Sequence, residues 1–221
     1  TMTRPELQRR QFSQGGAALG AGLSLGIPMA AWADSKNANA AEVGVWVLIR
    51  PNDQVIIRIA RSEMGQGTLT GLAQLVAEEL ECDWKNVTTE YPTPGENLRR
   101  KRAWGSYSTG GSRGIRESQE YVRQGGAAAR TMLLQAAADL WKVPVQELSV
   151  DKGVIRHASS KRQTSFGKVA EAASKLPVPA KVPLKDPSQW KLIGKPIRRL
   201  DTRDKVNGKQ IYAIDLKMPG M

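Results

Sequence analysis

Two glycine-rich segments carry the residue types that hold anions. In the first, Gly65-Gln66-Gly67 stands between a β-rich stretch and a helical pattern. Glycines let backbone N–H groups approach a phosphate, and a helix N-terminus adds favourable polarity. Gln66 places an amide, donor and acceptor together, between two residues without side chains. The spacing Gly65-x-Gly67-x-x-x-Gly71 misses the dinucleotide fingerprint by one residue, its hairpin context reads as lacking a β-α-β unit, and no P-loop occurs. A structural turn and a ligand cradle both fit. The second segment, Gly105-Ser106-Tyr107-Ser108-Thr109-Gly110-Gly111-Ser112-Arg113-Gly114, is rich in hydroxyls and also precedes a helical pattern. Two such loops could grip two ends of one phosphorylated ligand; a flexible surface loop is the plain alternative.

Other chemistry is sparse. Arg99-Arg100-Lys101-Arg102 with Trp104 and Tyr107 forms a basic, aromatic stretch of the kind that binds single-stranded nucleic acid. It reads equally as a solvated loop or a docking surface for an acidic partner subunit. One cysteine, Cys82, excludes an internal disulfide framework and any Cys-based zinc or iron–sulfur cluster held by this chain alone. One histidine, His157, argues against an all-protein metal site and reads as a surface residue. Cys82 reads as packing, and Glu63, Glu78, Glu79 and Glu81 as solvated charge. No carboxylate pair, nucleophile elbow or Cys/His cluster emerges, so no catalytic residue or metal ligand is assigned.

The elements that must position these residues follow from periodicity and turn chemistry. Residues 43–61 predict a β-hairpin turning at Pro51-Asn52-Asp53. A helix over 69–82 aligns Leu69, Leu72, Ala73, Val76 and Leu80, and a short strand occupies 86–91. Residues 92–114 read as one long polar loop. A longer helix over 115–142 aligns Val122, Ala129, Leu133, Ala136 and Leu140, with Gly125-Gly126 near its middle pointing to close approach of a backbone or ligand. Residues 148–150 and 154–156 form a second hairpin and 166–175 a short helix. Residues 176–196, with five prolines, read as a connector, and 210–216 as a lone strand.

The 221 residues suffice for one large domain or two small ones, and 40% hydrophobic content predicts a folded chain. A net charge of +12 favours polyanions, phosphorylated cofactors or an acidic membrane face. At the start, Arg4 and Arg9-Arg10-Gln11-Phe12 lead into a Gly/Ala/Leu stretch closing on Ala31-Trp32-Ala33, the pattern of a Tat export signal cleaved before Asp34. An anchoring amphipathic helix is opposed by the glycines and Pro28. Removing 1–33 takes three Arg and one Glu, so the basic surplus persists. Thr1 ahead of Met2 reads as a translated fragment.

Several separated motifs then fall in order: Ser62-Glu63-Met64-Gly65-Gln66-Gly67-Thr68, Ser108-Thr109-Gly110-Gly111-Ser112, and Leu192-Ile193-Gly194-Lys195-Pro196 through Arg199-Leu200-Asp201. Lys205-Val206-x-Gly208, Tyr212-x-x-Asp215 and Pro219-Gly220-Met221 complete them. Together they resemble the molybdopterin-binding large subunit of the xanthine dehydrogenase/aldehyde oxidase family. The likeness extends to its exported branch, being similar to isoquinoline 1-oxidoreductase beta subunits and membrane-associated aldehyde dehydrogenase large subunits. The resemblance implies an α/β (α+β) chain of mixed sheet and helices. On that frame, the Tat-type signal is 1–33, a partial molybdopterin-binding domain 34–175, the Pro-rich connector 176–196, and the start of a second, hammerhead-like domain 197–221.

It further implies a molybdenum cofactor in its molybdopterin cytosine dinucleotide form. Gly65, Gln66 and Gly67 would contact it, as would Gly111, Ser112 and Gly114, with Thr109 and Gly110 as neighbours. The implied reaction oxidises aldehydes or N-heterocycles with water as oxygen source. Electrons would pass to a 2Fe-2S small subunit carrying the iron–sulfur clusters, and onward to a membrane c-type cytochrome, in the periplasm. The family's glutamate base, set in a Gly-x-Gly-Glu segment, has no counterpart here. The chain alone is therefore expected to be inactive and to hold cofactor weakly. A non-catalytic exported cofactor-binding or assembly module is the alternative, and export weighs against nucleic acid as a partner.

Overall fold

β-Branched residues at Val47–Ile49 (β2) and Val55–Arg58 (β3) form the expected hairpin, antiparallel with Leu48 opposite Ile56. The computed structural model describes residue 37 and residues 39–221. The signal segment read at 1–33 lies outside the described residues. In the turn, Asn52 Oδ1 accepts from Gln54 N at 3.2 Å and Asp53 adopts a left-handed φ of 66°, a conformation an Asp tolerates. Ala41–Glu42 (β1) adds a short antiparallel edge to β2.

One expectation is overturned at β3. It continues through the first glycine loop into α1 (Thr68–Leu80), which leads to β4 (Val87–Glu90), and β4 pairs with β3 in parallel, Val55 opposite Val87. The glycine loop therefore does sit in a β-α-β unit. The hairpin and the unit share β3, and a parallel partner is created by the crossover rather than written in the strand.

The segment 92–114 is not one long loop. Pro94–Arg99 (α2) starts on Thr93, whose Oγ1 accepts from Glu96 N at 3.2 Å, and Arg113–Arg116 (α3) closes the segment. Between them Asn97, buried, accepts from Trp104 N and donates to Gly105 O at 2.9 Å. Trp104 is only 1% exposed, its indole N–H on Val45 O at 2.7 Å and its ring flanked by the guanidinium groups of Arg58 and Arg100. Arg100 in turn is bound by Glu42 and Glu96. A buried indole cannot stack on a base, so the basic, aromatic stretch is not laid out as a single-strand surface.

Gln119–Trp141 (α4) lies against α1, and its glycine pair is the reason it can. A Cβ on Gly126 would sit 2.5 Å from Val76 O, and one on Gly125 2.4 Å from the Trp46 ring. Leu72, Ala73, Val76, Ala77 and Leu80 of α1 and Val122, Ala129, Met132, Leu133 and Ala136 of α4 are buried in one core with β2 and β3. Leu140, expected on the same face, is 64% exposed. Arg130 meets Glu81 at the end of α1, so α4 runs on past its partner before reaching Leu140.

Leu148–Asp151 (β5) and Val154–His157 (β6) form the second hairpin, joined by a third antiparallel strand, Arg162–Ser165 (β7). The sequence of β7, Arg-Gln-Thr-Ser, shows no apolar alternation, so this edge strand went unread. His157 is buried rather than superficial, its ring nitrogens 2.7 Å from Ser160 Oγ and 2.8 Å from Glu147 Oε2. Phe166–Ser174 (α5) packs Phe166, Val169, Ala170 and Ala173 into the main core. Cys82 is buried there too, and burial pushes its thiol up to about 12.

Residues 176–193 cross the helices as irregular chain fastened by carboxylates, which corrects the solvated reading of Glu78 and Glu79. They are 1% and 0% exposed. Glu78 accepts the N–H groups of Lys191, Leu192 and Ile193 at 2.6–3.1 Å and the Lys185 ammonium at 3.0 Å. Glu79 accepts from Lys185 N and Arg123 Nε, and Glu81 pairs with Arg130. Burial alone would raise the Glu78 carboxyl, but the N–H groups of Leu192 and Ile193 and the Lys185 charge hold it below its ordinary value.

Farther on, Thr202–Val206 (α6) is a short helix. The strand expected over 210–216 is absent: Ala213–Asp215 is a 3-10 turn, with Tyr212 N donating to Asp215 Oδ2 at 2.9 Å. Strand propensity needs an edge to pair with, and no neighbour pairs with it among the described residues. None of the described helices is long and apolar enough to cross a membrane.

Gly126→Ala is expected to destabilise the chain by about 1–3 kcal/mol, because the Val76 carbonyl cannot move without moving α1. The urea midpoint should fall with the m-value unchanged. Glu78→Ala, which leaves the Lys185 ammonium on Glu81 alone and the N–H groups of Lys191, Leu192 and Ile193 without their acceptor, is expected to cost at least about 1–3 kcal/mol by the same measurement.

Candidate cofactor-binding site

The two glycine loops meet at the start of α1. Ser62 N donates to Thr109 Oγ1 at 2.9 Å, and Arg61 donates to Ser108 O and, at 3.1 Å, to Ser118 Oγ. A Cβ on Gly114 would lie 2.9 Å from Thr68 Oγ1, and one on Gly71 2.8 Å from Ile115 Cδ1. Glycine at 71 and 114 thus lets the loops close on each other. Their juxtaposition, posed from sequence only as two ends of one ligand, is a feature of the fold.

The loops are not equivalent. In the first, Glu63 Oε1 accepts from Gly65 N at 2.7 Å and Gly67 N at 3.0 Å, and Oε2 from Leu69 N at 3.0 Å. Gly65 and Gly67, at φ of 102° and 85°, allow that turn. Gln66 folds back as well, its Oε1 accepting from Met64 N at 2.6 Å and its Nε2 donating to Ser62 O at 2.9 Å. The Gly65 and Gly67 donors read as part of a phosphate cradle are therefore spent on the chain's own carboxylate, and the Gln66 side-chain amide read as a ligand contact closes its own loop. Burial pushes the Glu63 carboxyl up, but the N–H groups of Gly67, Leu69 and Gly65, with the charge of Arg199, bring it below its ordinary value.

The second loop is open. Gly111 and Ser112 both take left-handed φ of 56°. The N–H groups of Gly110, Gly111 and Ser112 and the Ser112 hydroxyl have no hydrogen-bond partner among the described residues. Gly110 O is held by Arg113, which donates from N at 3.1 Å and Nε at 3.3 Å. Thr109 is taken up in the link to Ser62, and Gly114 in the contact with Thr68. Of the residues named from sequence, Gly110, Gly111 and Ser112 form a consecutive run that keeps groups to offer a ligand, whereas Gly65 N, Gly67 N and the Gln66 side-chain amide are taken up within their own loop.

Sequence reasoning missed the third component. Arg199 donates from Nη2 to Glu63 Oε1 and from Nη1 to Gly65 O, both at 3.0 Å, while a bidentate pair at 2.9 Å joins it to Asp201. Arg199 and then Lys205 hold the Asp201 carboxyl far below the usual carboxylate range. These residues border a cleft of about 910 Å³ with Met64, Tyr91 and Tyr212. The Arg-x-Asp spacing was visible, but its partner lies 136 residues away in sequence.

A β-α-β unit with two adjoining glycine loops, one retaining free backbone donors, has the build of a domain that holds an anionic organic ligand. The chain belongs to the molybdopterin cofactor-binding domain family, whose model matches residues 3–214. It is 30% identical over 255 residues to isoquinoline 1-oxidoreductase subunit beta of Brevundimonas diminuta, covering 97% of this chain and 32% of that relative. To the membrane-bound aldehyde dehydrogenase of Gluconacetobacter polyoxogenes, whose name specifies pyrroloquinoline-quinone, it is 34% identical over 188 residues, covering 82% and 23%. The crystal structure of quinoline 2-oxidoreductase from Pseudomonas putida 86 overlays with a TM-score of 0.44 at 19% identity, covering 61% of this chain and 17% of that one. The chain thus spans a third or less of the length of these proteins. The family resemblance read from the motifs is borne out, as is the mixed α/β fold.

Glu63, Glu78 and Asp201 all titrate below their ordinary values of 4.5, 4.5 and 3.8. A lowered folded-state value means their stabilisation is complete above the unfolded value and is lost as pH falls through the folded one. The urea midpoint is expected to hold from about pH 7 to pH 5 and drop below about pH 4.5. Glu63→Gln should make that drop shallower; a midpoint indifferent to acid would contradict the carboxylate assignment.

Proposed function

We propose that this chain is part of a molybdenum hydroxylase large subunit, and that Gly110, Gly111 and Ser112 bind the anionic portion of its molybdopterin cofactor. The observation that carries the reading is the set of free backbone donors at Gly110, Gly111 and Ser112, in a loop locked against the β-α-β unit. This loop fits such a group. In the first loop Glu63 takes the N–H groups of Gly65, Gly67 and Leu69 and sets its own negative charge there, which disfavours an anion, and its part is to support the second through Ser62 and Thr68. When bound, the cofactor supplies two-electron oxidation chemistry. The chain's own residues hold and orient it: N–H groups and the Ser112 hydroxyl donate, and Arg113 fixes the loop from behind through Gly110 O.

The names of the two relatives, one an isoquinoline oxidoreductase and one an aldehyde dehydrogenase, support aldehydes or N-heterocycles as the substrate class; water as the oxygen source is part of the proposal. The further parts of the proposal are the cytosine dinucleotide form, a 2Fe-2S small subunit as electron acceptor, and a membrane c-type cytochrome beyond it. Tat export to the periplasm belongs to it, as does division into a signal at 1–33, a cofactor domain at 34–175, a connector at 176–196 and the start of a second domain at 197–221. Part of a subunit is proposed to be inactive by itself and to retain cofactor weakly. A non-catalytic cofactor-binding or assembly module is the second reading, favoured by donors that can bind without any adjacent base.

The test is metal and pterin analysis of the native assembly purified from its own cells. Molybdenum and a pterin in equal amounts are expected, and Gly111→Val, which forces a β-branched residue to φ of 56°, should lower both severalfold. A quinone in place of the pterin overturns the cofactor reading. Molybdenum without turnover of any aldehyde or N-heterocycle favours the assembly module, and stoichiometric molybdenum with turnover in the isolated 221-residue chain overturns the claim of inactivity.

A further inference from the structure

We infer that Arg199 is a positioning residue for the first glycine loop, clamping Glu63 and Gly65 so that the loop keeps the shape that supports the second. The geometry is that of a fork used on every side. Nε and Nη2 take the two oxygens of Asp201 at 2.9 Å, Nη2 also reaches Glu63 Oε1, and Nη1 reaches Gly65 O. Asp201 is itself held by Lys205 at 2.6 Å, so the guanidinium is aimed before it meets the loop. A planar group with five donors can satisfy these four acceptor oxygens at once, which the three N–H donors of an ammonium cannot.

The loop depends on this contact because little else touches it from outside. Ser62, Met64, Gly65 and Gln66 are exposed, and the loop's other fastenings are the Tyr91 hydroxyl on Glu63 N and Thr109 on Ser62 N. The segment carrying Arg199, by contrast, is attached independently: Leu200 N donates to Thr70 Oγ1 at 3.1 Å and Gln74 donates to Leu192 O. Replacing Arg199 therefore releases the loop while leaving the segment docked. The groups facing Glu63 are Arg199, Asp201 and Lys205 from the later segment and Tyr91 from the end of β4, with the three amides of its own turn.

The experiment is residue-resolved amide exchange on the full 221-residue chain. In Arg199→Gln the Gly65, Gly67 and Leu69 amides, all bound to Glu63, are expected to lose about ten-fold in protection, the scale of losing charge-assisted bonds. Amides of α4 should be unchanged, and the pH at which loop protection collapses should rise. Arg199→Lys should recover little, and Asp201→Asn should show a smaller loss of the same pattern. Unchanged loop protection in Arg199→Gln overturns the inference, as does full recovery by lysine or a uniform loss that includes α4. The relevance of the loop to cofactor rests on the proposal above, so molybdenum content of the native assembly is measured on the same variant. Lost loop protection with full molybdenum retains Arg199 as a positioning residue and removes the first loop's support from the cofactor-binding proposal.

Discussion

The contact between Gly126 and the Val76 carbonyl sets the distance between the two long helices, and the distances at both glycine loops follow from it. α1 begins where the first loop ends, and α4 follows the second loop after one short helical turn. Backbone pressed on backbone leaves no slack, so the loops arrive close enough for Gly114 to touch Thr68 and for Ser62 to bond Thr109. Interiors packed at this density transmit position rather than absorb it. Two glycines in the first half of a 23-residue helix weaken that helix as a local structure and stabilise it as a packed one.

Burial of Glu78 and Glu79 at the end of α1, with Glu81 partly buried beside them, looks unfavourable in isolation, since carboxylates oppose the polarity of a helix C-terminus and lose hydration. Their partners reverse the balance. Glu78 and Glu79 are acceptors for an irregular segment whose backbone N–H groups have no strand or helix to bond within. Lys185, Arg123 and Arg130 neutralise them. The arrangement exchanges water for fixed donors and thereby defines one path for residues 182–193 across the helices.

The same logic separates the glycine loops. Each is glycine-rich and each precedes a helix, yet one supplies its own anion and the other does not. An internal carboxylate removes the cost of bare donors in the first loop and gives Arg199 a target; the second loop leaves its donors to solvent or to a ligand. Similar composition therefore supports two roles, one structural and one receptive, decided by whether a Glu stands two residues before the first glycine.

Local structure was legible wherever local physics decides it. The β2–β3 hairpin, α1, β4, α5 and the meaning of Gly125-Gly126 all follow from periodicity, turn residues and the cost of mid-helix glycine, and the separated motifs named the family. The parallel pairing of β4, the burial of Glu78, Glu79 and His157, and the absence of a strand at 210–216 did not follow, because each depends on a partner supplied from elsewhere in the chain. So did the candidate site: the sequence by itself determined which residues could donate to an anion. Glu63 takes its share of them locally, from two residues before Gly65, but only the tertiary structure decided how that loop is held and set against the second, because Arg199 reaches Glu63 across 136 residues and no spacing rule spans that distance.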